Sequence, residues 1–291
     1  MKKLLIIAAA AFALLAGAPQ AGAASGYVIT DSIRSNILDT TLKYNVFVPG
    51  DFDRSNKVYP VVYLLHGLTE DYTAWRERGL MRIVANKLLR SEEIREMIIV
   101  MPSAGQEDVH SHWNGYFNQK GWRYEDFFFQ ELMPEVERKY RGISDKQHRA
   151  IMGLSMGGGG SVVYAQRHPD MFSSCFAMSP WLDNRAKEVD KAEGKCDKFI
   201  SLSNSVKENS AIMFLKKADE RTVSSLRTVK WFIDCGDDDF LLEQSLDMYE
   251  LMLKLSFGCQ LRVRDGQHDW EYWHVSLGMA LPFASRNFNG R

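Results

Sequence analysis

The feature that most restricts the fold of this chain is a glycine-flanked serine between a strand-like run and a helical pattern. Residues 150–152 are apolar, the sequence Gly-Leu-Ser-Met-Gly follows at 153–157, and a helical pattern continues to Arg167. A serine on a tight turn from strand to helix has its hydroxyl exposed at the carboxyl end of a sheet, and small neighbours avoid backbone clashes. Ser155 is therefore a candidate nucleophile, although a Gly-rich turn without chemistry produces the same short pattern.

Short apolar runs alternate with helical patterns along the rest of the chain. Strands are predicted at 44–48, 61–65, 97–101, 150–152, 175–178, 230–234 and 260–263. Helices are predicted near 81–89, 124–140, 157–167, 241–255 and 270–284. This alternation predicts an α/β fold with a mostly parallel central sheet and helices on both faces. In such sheets, ligands bind beyond the carboxyl ends of the strands.

Residues 1–23 have the three parts of a secretory signal peptide. Lys2 and Lys3 precede an apolar run at 4–15, and small residues follow at 21–23. The run is shorter than the roughly 20 residues of a membrane span, so an uncleaved anchor is the minor alternative. We expect cleavage after Ala23, a periplasmic or secreted location, and no membrane association afterwards. Residues 24–291 are expected to form a single α/β domain.

The charge of the chain limits the classes of partner that it is expected to bind. The formal net charge is −1 and no basic cluster stands out, which argues against a nucleic-acid partner and favours a small or neutral molecule.

An exported chain permits disulfides, and the four cysteines allow three full pairings. Buried free thiols are an equally ordinary outcome. Their spacing does not resemble a zinc site, so we expect no metal. The four are Cys175, Cys196, Cys235 and Cys259.

The segment 183–227 differs in composition from the rest of the chain. It is rich in charged and small polar residues, with apolar anchors only at 199–200 and 212–215. Two interpretations stay open: a cap-like insertion of helices and loops over the site, or a solvated surface excursion.

A serine nucleophile needs a histidine base, and the histidine needs a carboxylate that orients it. In the chain order of this fold class, the acid follows the serine and the histidine comes last. His268 follows the last predicted strand directly, whereas His274 lies inside the next helical pattern and is expected to be structural. We therefore predict His268 as the base. The other histidines precede the serine or end its helix: His66, His110, His112, His148 and His168.

The acid is expected after the strand at 230–234, where three consecutive aspartates follow Gly236. We favour Asp239 because it stands at the end of the loop against the next helix, and Asp238 is the reserve. The triplet, which begins at Asp237, lacks the alternating spacing of a calcium loop.

Two backbone amides are needed to stabilise an oxyanion. Met156, directly after the serine, is one expected donor. The other is Leu68, because a buried strand ends in a His-Gly turn there and Gly67 allows close approach. The four glycines at 157–160 cost ~1 kcal/mol each in a helix, which indicates close packing against the strands or, alternatively, a flexible turn.

Taken together, these motifs resemble the putative-esterase family of α/β hydrolases, which includes esterase D, tributyrin and feruloyl esterases, and the mycolyltransferases. The similar stretches lie at 59–67 with Trp75, 101–103, 153–158, 168–172 with 178–179, 234–236 with Asp239, and 266–273. The resemblance implies Ser155, Asp239 and His268 as the catalytic residues and Leu68 and Met156 as the oxyanion donors. It also places the acid three residues after Gly236, as in the family pattern.

The resemblance implies an exported carboxylesterase without a cofactor, acting on acetyl, short-chain acyl or feruloyl esters, including esters on plant polysaccharide. The signal peptide argues against the cytosolic thioester of the formylglutathione hydrolases. An acyltransferase of the mycolyltransferase type and a non-catalytic binding protein are the alternatives. We expect Gly67, Trp181 and Trp270 to contact the substrate. Aromatic residues that could stack on a sugar or cinnamoyl ring are Trp113, Tyr116, Trp122, Trp181, Trp270 and Trp273.

Overall fold

The computed structural model describes residues 25–105, 115–184 and 197–289. The predicted signal peptide, Cys196, Trp113, His110 and His112 lie outside the described residues. Within the described ranges the strands are β1 (Tyr27–Ser35), β2 (Thr40–Val48), β3 (Val61–Leu65), β4 (Ile98–Pro102), β5 (Asn118–Gln119), β6 (Trp122–Arg123), β7 (Arg149–Leu154), β8 (Ser174–Met178), β9 (Lys230–Gly236) and β10 (Cys259–Arg264).

The helices begin and end close to the apolar patterns of the sequence. They are α1 (Ala74–Glu77), α2 (Met81–Arg90), α3 (Tyr124–Phe127), α4 (Met133–Lys139), α5 (Met156–Arg167), α6 (Asp197–Glu208), α7 (Ala211–Lys217), α8 (Glu220–Leu226), α9 (Leu242–Lys254) and α10 (Trp270–Asn287). A π-helical turn at Phe128–Leu132 joins α3 to α4, so the predicted helix at 124–140 is one continuous but irregular element. Short 3₁₀ turns lie at Phe52–Arg54 and Lys146–His148.

Eight strands form one sheet in the order β1-β2-β4-β3-β7-β8-β9-β10. From β4 to β10 every neighbouring pair is parallel, whereas β2 runs antiparallel to both β1 and β4. The predicted mostly parallel sheet is therefore confirmed. The apolar run at 44–48 predicted β2, but β1 was not predicted, because its alternating polar residues give an edge strand half exposed to solvent.

The two faces of the sheet bury two separate cores, because successive side chains of a strand point to opposite faces. In β3, Val61 and Tyr63 join the core formed with α3, α4, α5 and α9, while Val62 and Leu64 join the core formed with α2 and α10. Helices thus cover both faces, as predicted. No helix in the described part of the chain is both long and apolar enough to cross a bilayer.

The described residues 197–226 contribute three helices to the first core. Leu202 and Val206 of α6, Ile212 of α7 and Val223 of α8 are all buried there. Helices α6, α7 and α8 are thus anchored on the first core by apolar side chains. The cysteines Cys175, Cys235 and Cys259 are free thiols, so none of the described cysteines is paired.

Candidate active site

Ser155 occupies the sharp turn between β7 and α5. Its backbone has φ 53° and ψ −117°, a conformation that non-glycine residues rarely adopt. Three hydrogen bonds hold the turn: the amide of Ser155 donates to the carbonyl of Met178 at 2.9 Å, and its carbonyl accepts from the amides of Gly159 and Trp181, each at 3.0 Å. The strained turn is therefore fixed by β8 and the loop after it, as expected of a site held for chemistry.

The glycines around Ser155 are explained by close backbone contacts. A Cβ atom at Gly157 would lie 2.4 Å from the carbonyl oxygen of His66, and one at Gly159 would lie 2.0 Å from that of Trp181. These distances leave no room for any side chain. The expectation that α5 packs closely against its neighbours is confirmed.

His268 lies within hydrogen-bonding distance of Ser155, although 113 residues separate them in the sequence. Its Nε2 is 2.9 Å from Oγ of Ser155, and its Nδ1 is 2.8 Å from Oδ2 of Asp239. An ionised carboxylate only accepts hydrogen bonds, so Nδ1 of His268 carries the proton and Nε2 accepts from the serine hydroxyl. This is the arrangement in which an imidazole can take the proton of an attacking serine.

Asp239 is buried and well supplied with donors. Burial favours the neutral acid, but hydrogen bonds from His268, the amide of Leu241 and Ser179 outweigh it, so the pKa of Asp239 lies below its usual range. Trp273 donates in turn to the hydroxyl of Ser179 at 3.0 Å. The carboxylate is thus held ionised and oriented toward the histidine.

The other two aspartates of the triplet form hydrogen bonds between two loops. The amide of Asp237 donates to the carbonyl of Arg264, its carboxylate accepts from the amide of Gly266, and the amide of Asp238 donates to the carbonyl of Gly266. Both side chains are exposed. They tie the loop after β9 to the loop that carries His268, and only Asp239 of the three faces the imidazole.

The two amides expected to stabilise an oxyanion belong to Leu68 and to Met156, the residue directly after Ser155. Leu68 follows β3 and lines the cavity that contains Ser155, as does Gly67. Met156 is the first residue of α5, so its N–H belongs to the amides that have no acceptor within the helix. His66 is buried and structural: its Nε2 accepts from the amide of Ala104 at 3.0 Å, and burial lowers the pKa of the ring.

The cavity over Ser155 measures about 420 Å³, within the range of small-molecule sites. Trp273 and Phe240 flank the imidazole of His268, with ring centroids 4.8 and 4.5 Å away. Two residues of the site were not predicted: Phe240 follows Asp239 directly, and Phe199 is an apolar anchor in a polar segment. The apolar wall includes Leu68, Leu154, Trp181, Phe199, Phe240, Leu241 and Trp273.

Trp270 takes a different place from the one expected. Trp181 lines the cavity, but Trp270 is absent from the described residues that line it. Its indole nitrogen donates to Glu70 at 2.8 Å, and its ring packs edge-on against Trp75 at 5.1 Å. Trp273, one helical turn further along α10, lines the cavity and packs against His268.

Two further aromatic candidates in the described part of the chain, Tyr116 and Trp122, are structural. The hydroxyl of Tyr116 donates to the carbonyl of His66, and the indole of Trp122 donates to that of Ala104, and both rings are buried. His274 interacts with the carbonyl of Gly79, as expected of a structural histidine. Among the described residues, no group of three or more His, Cys, Asp or Glu side chains could hold a metal ion.

Comparisons with known proteins place this geometry in a family. The profile of the family described as "Putative esterase" matches residues 35–284. The chain is 47% identical to a ferulic acid esterase of known structure, with a TM-score of 0.85 over 91% of this chain and 99% of that one. A CE1 ferulic acid esterase from Anaeromyces mucronatus, solved with ferulic acid, shares the fold at 22% identity and a TM-score of 0.71, over 94% and 95% of the two chains.

Two curated relatives match over part of their length. Esterase Rv1288 of Mycobacterium tuberculosis is 31% identical over 138 residues, which are 46% of this chain and 28% of the relative. An endo-1,4-beta-xylanase/feruloyl esterase of Xylanibacter ruminicola is 30% identical over 132 residues, 44% of this chain and 18% of the relative. The chain thus matches less than a third of the length of these relatives. Because the family profile covers most of its sequence, the chain belongs to this esterase family of α/β hydrolases.

Proposed function

We propose that the protein hydrolyses carboxylic esters through an acyl-enzyme on Ser155, and that its preferred acyl group is an aromatic one of the feruloyl type. The observation that carries the proposal is the hydrogen-bonded series from Ser155 to His268 to Asp239 at the floor of a cavity with aromatic walls. The similarity to a ferulic acid esterase at 47% identity supports the acyl group.

The positions of the atoms support a reaction in two steps. Oγ of Ser155 attacks the ester carbonyl while Nε2 of His268 accepts its proton, and Asp239 stabilises the imidazolium that forms. The amides of Leu68 and Met156 stabilise the negative oxygen of the tetrahedral intermediate. The intermediate collapses, His268 protonates the departing alcohol, and the acyl group stays on Ser155. Water then attacks with His268 as base and releases the acid.

The aromatic acyl group fits the walls of the cavity. Trp181, Phe199 and Trp273 provide flat apolar surfaces on which a cinnamoyl ring can pack, with ring contacts worth ~0.5–1.5 kcal/mol each beyond area burial. Residues 197–226 act as a cap-like element in this proposal, because α6 supplies Phe199 to the wall. An exported location belongs to the same proposal, since esters of plant polysaccharide lie outside the cell.

The test compares the wild type with Ser155→Ala on methyl ferulate, methyl acetate and a short-chain nitrophenyl ester. We expect wild-type turnover of all three with the highest kcat/KM for methyl ferulate, and loss of turnover of at least about 10³-fold in Ser155→Ala. Intact-mass analysis after rapid acid quench is expected to show one feruloyl group on the wild type. Equal rates from both proteins would refute the nucleophile, and a preference for methyl acetate would refute the acyl group.

Two further measurements complete this test. Feruloylated and acetylated xylan report whether the alcohol is a polysaccharide, and product analysis with added sugar acceptors separates hydrolysis from acyl transfer. N-terminal sequencing of protein recovered outside the cytoplasm is expected to begin at Ala24, and a retained Met1 would contradict export with cleavage.

A further inference from the structure

Glu70 lies in the wall of the cavity, two residues after Leu68, and receives three hydrogen bonds from three parts of the chain. Its Oε2 accepts from the amide of Gly67 at 3.0 Å. Its Oε1 accepts from the indole of Trp270 at 2.8 Å and from the guanidinium of Arg78 at 2.9 Å. The side chain is 10% exposed. A carboxylate held so firmly beside the reacting serine is not explained by the proposed mechanism.

The carbonyl of Gly67 is held as well, by the histidine that precedes it. Nδ1 of His66 is 2.7 Å from this oxygen, and Nε2 of His66 accepts from the amide of Ala104. Because Nε2 is an acceptor, the neutral ring carries its proton on Nδ1 and donates it to the carbonyl of Gly67. The N–H and the C=O of Gly67 therefore both have a side-chain partner.

These two contacts define the direction of the amide of Leu68. The peptide group between Gly67 and Leu68 is planar and trans, so its N–H points away from the C=O that His66 holds. The hydrogen bond from Gly67 to Glu70 fixes the peptide plane between His66 and Gly67. Without these contacts, the two planes that meet at Gly67 would rotate freely against each other, because glycine has no side chain to restrict its backbone. We propose that Glu70, acting with His66, is a positioning residue that aims the N–H of Leu68 at the oxyanion.

The same network accounts for the charge of Glu70. A lone carboxylate beside a developing oxyanion would repel it, which would raise the barrier to attack. Arg78 and Trp270 place two donors on Oε1, the oxygen that does not bind Gly67, and Arg78 adds a positive charge. This role accounts for the contact of Trp270 with Glu70, and it rests on the oxyanion function proposed above for Leu68.

The test is Glu70→Gln in the full chain, with kcat expressed per serine titrated by a phosphonate ester. Glutamine has the same shape but one acceptor oxygen, so it cannot accept from Gly67 and from Trp270 and Arg78 together. We expect kcat for methyl ferulate to fall about 10- to 100-fold, part of the 10²–10³-fold effect of losing one oxyanion donor. KM is expected to stay within about twofold, because the interaction acts on the transition state.

Two comparisons separate positioning from general stability. Glu77→Gln makes the same change in an exposed ion pair with Arg76 on α1, and we expect kcat within about twofold of the wild type. A boronic acid that forms a tetrahedral adduct with Ser155 is expected to lose affinity in Glu70→Gln in parallel with kcat, while free ferulate binds with unchanged Kd. Should Glu70→Gln fold poorly, titration still counts the competent fraction, and Glu70→Asp is expected to lose kcat similarly because its shorter side chain withdraws from Gly67.

An unchanged kcat per titrated serine in Glu70→Gln would overturn the inference. So would a loss of boronate affinity matched by an equal loss of ferulate affinity, because that pattern indicates a deformed cavity. Failure of this inference differs from failure of the proposed function. If the proposed function fails, Ser155→Ala keeps its activity. If only the inference about Glu70 fails, Ser155→Ala is inactive and Glu70→Gln has normal activity.

Discussion

Oδ2 of Asp239 lies 2.8 Å from Nδ1 of His268, while the two aspartates that precede Asp239 turn to the surface. Three identical side chains in a row thus differ in environment: two are exposed and one is buried against the imidazole. The reason is the close approach of the loops after β9 and β10: a Cβ atom at Gly236 would lie 2.1 Å from the carbonyl oxygen of Gly266. This contact brings the residue three positions after Gly236 under the imidazole.

The first prediction concerns this triplet. Asp239→Asn is expected to lower kcat for methyl ferulate by about 10⁴-fold, because an amide at this position stabilises the wrong tautomer of His268. Asp238→Asn is expected to change kcat less than about threefold. Asp237→Asn keeps an acceptor for the amide of Gly266 and should also have a small effect. Steady-state kinetics of the three variants checks the ranking, and a larger loss in either neighbour would contradict the assignment.

The second prediction uses two helical glycines with opposite surroundings. A Cβ at Gly159 meets the carbonyl oxygen of Trp181 at 2.0 Å, whereas a Cβ at Gly278 in α10 meets nothing within 4 Å. Gly159→Ala is expected to destabilise the fold by ~1–3 kcal/mol or more through overpacking and to lower activity. Gly278→Ala is expected to stabilise it by ~0.5–1 kcal/mol. Urea unfolding of both variants measures this, and similar effects would show that α5 is not closely packed.

The third prediction concerns stability at low pH. Burial disfavours the charge of Asp31, but hydrogen bonds from Lys139, Tyr140 and Tyr44 outweigh burial and lower its pKa to about 2 from 3.8. A carboxyl group with a lowered pKa stabilises the fold above its unfolded-state pKa, and this contribution disappears as pH falls toward the folded-state value. Asp31→Asn is therefore expected to be less stable at pH 7, with the difference shrinking between about pH 4 and pH 2.

We expect the difference at pH 7 to be on the order of 1 kcal/mol, allowing for solvent screening of a partly exposed pair. Urea unfolding of Asp31→Asn at a series of pH values measures it, and Asp170→Asn, at an exposed position, serves as the matched control with little expected change. If the stability difference between the wild type and Asp31→Asn grew toward acid pH, the ionised form of Asp31 would not be the stabilising one.

The fourth prediction concerns the thiols. Cys175 and Cys235 are buried, and burial raises the pKa of both, that of Cys235 to about 12. Since the thiolate is the reactive form, neither is expected to react with iodoacetamide at pH 8 in the native protein, and both should react after unfolding in denaturant. Peptide mapping of the labelled cysteines checks this. A disulfide involving either residue in non-reduced peptides would contradict the free thiols of the structure.

Much of the architecture was predictable because it depends on local patterns. The run at 150–154, the serine and the glycines after it define a turn whose conformation depends on a few adjacent residues, so Ser155 could be located without tertiary contacts. His268 was predicted from chain order, because it follows the last predicted strand directly and the histidine comes last in this fold class. The edge strand β1 was missed because half-exposed strands carry polar residues that mask their periodicity.

The walls of the cavity depended on contacts between distant residues. Trp270 and Glu70 are 200 positions apart, and no local pattern shows that their side chains bind each other, which is why Trp270 was expected in the cavity that Trp273 occupies. Short-range spacing was enough to predict most strands and helices, their order, and the order of the expected nucleophile, acid and base along the chain. The choice of Asp239 over Asp238, and the side-chain contacts of Gly67 next to Leu68, became certain only in the folded chain, because they depend on side-chain directions set by packing.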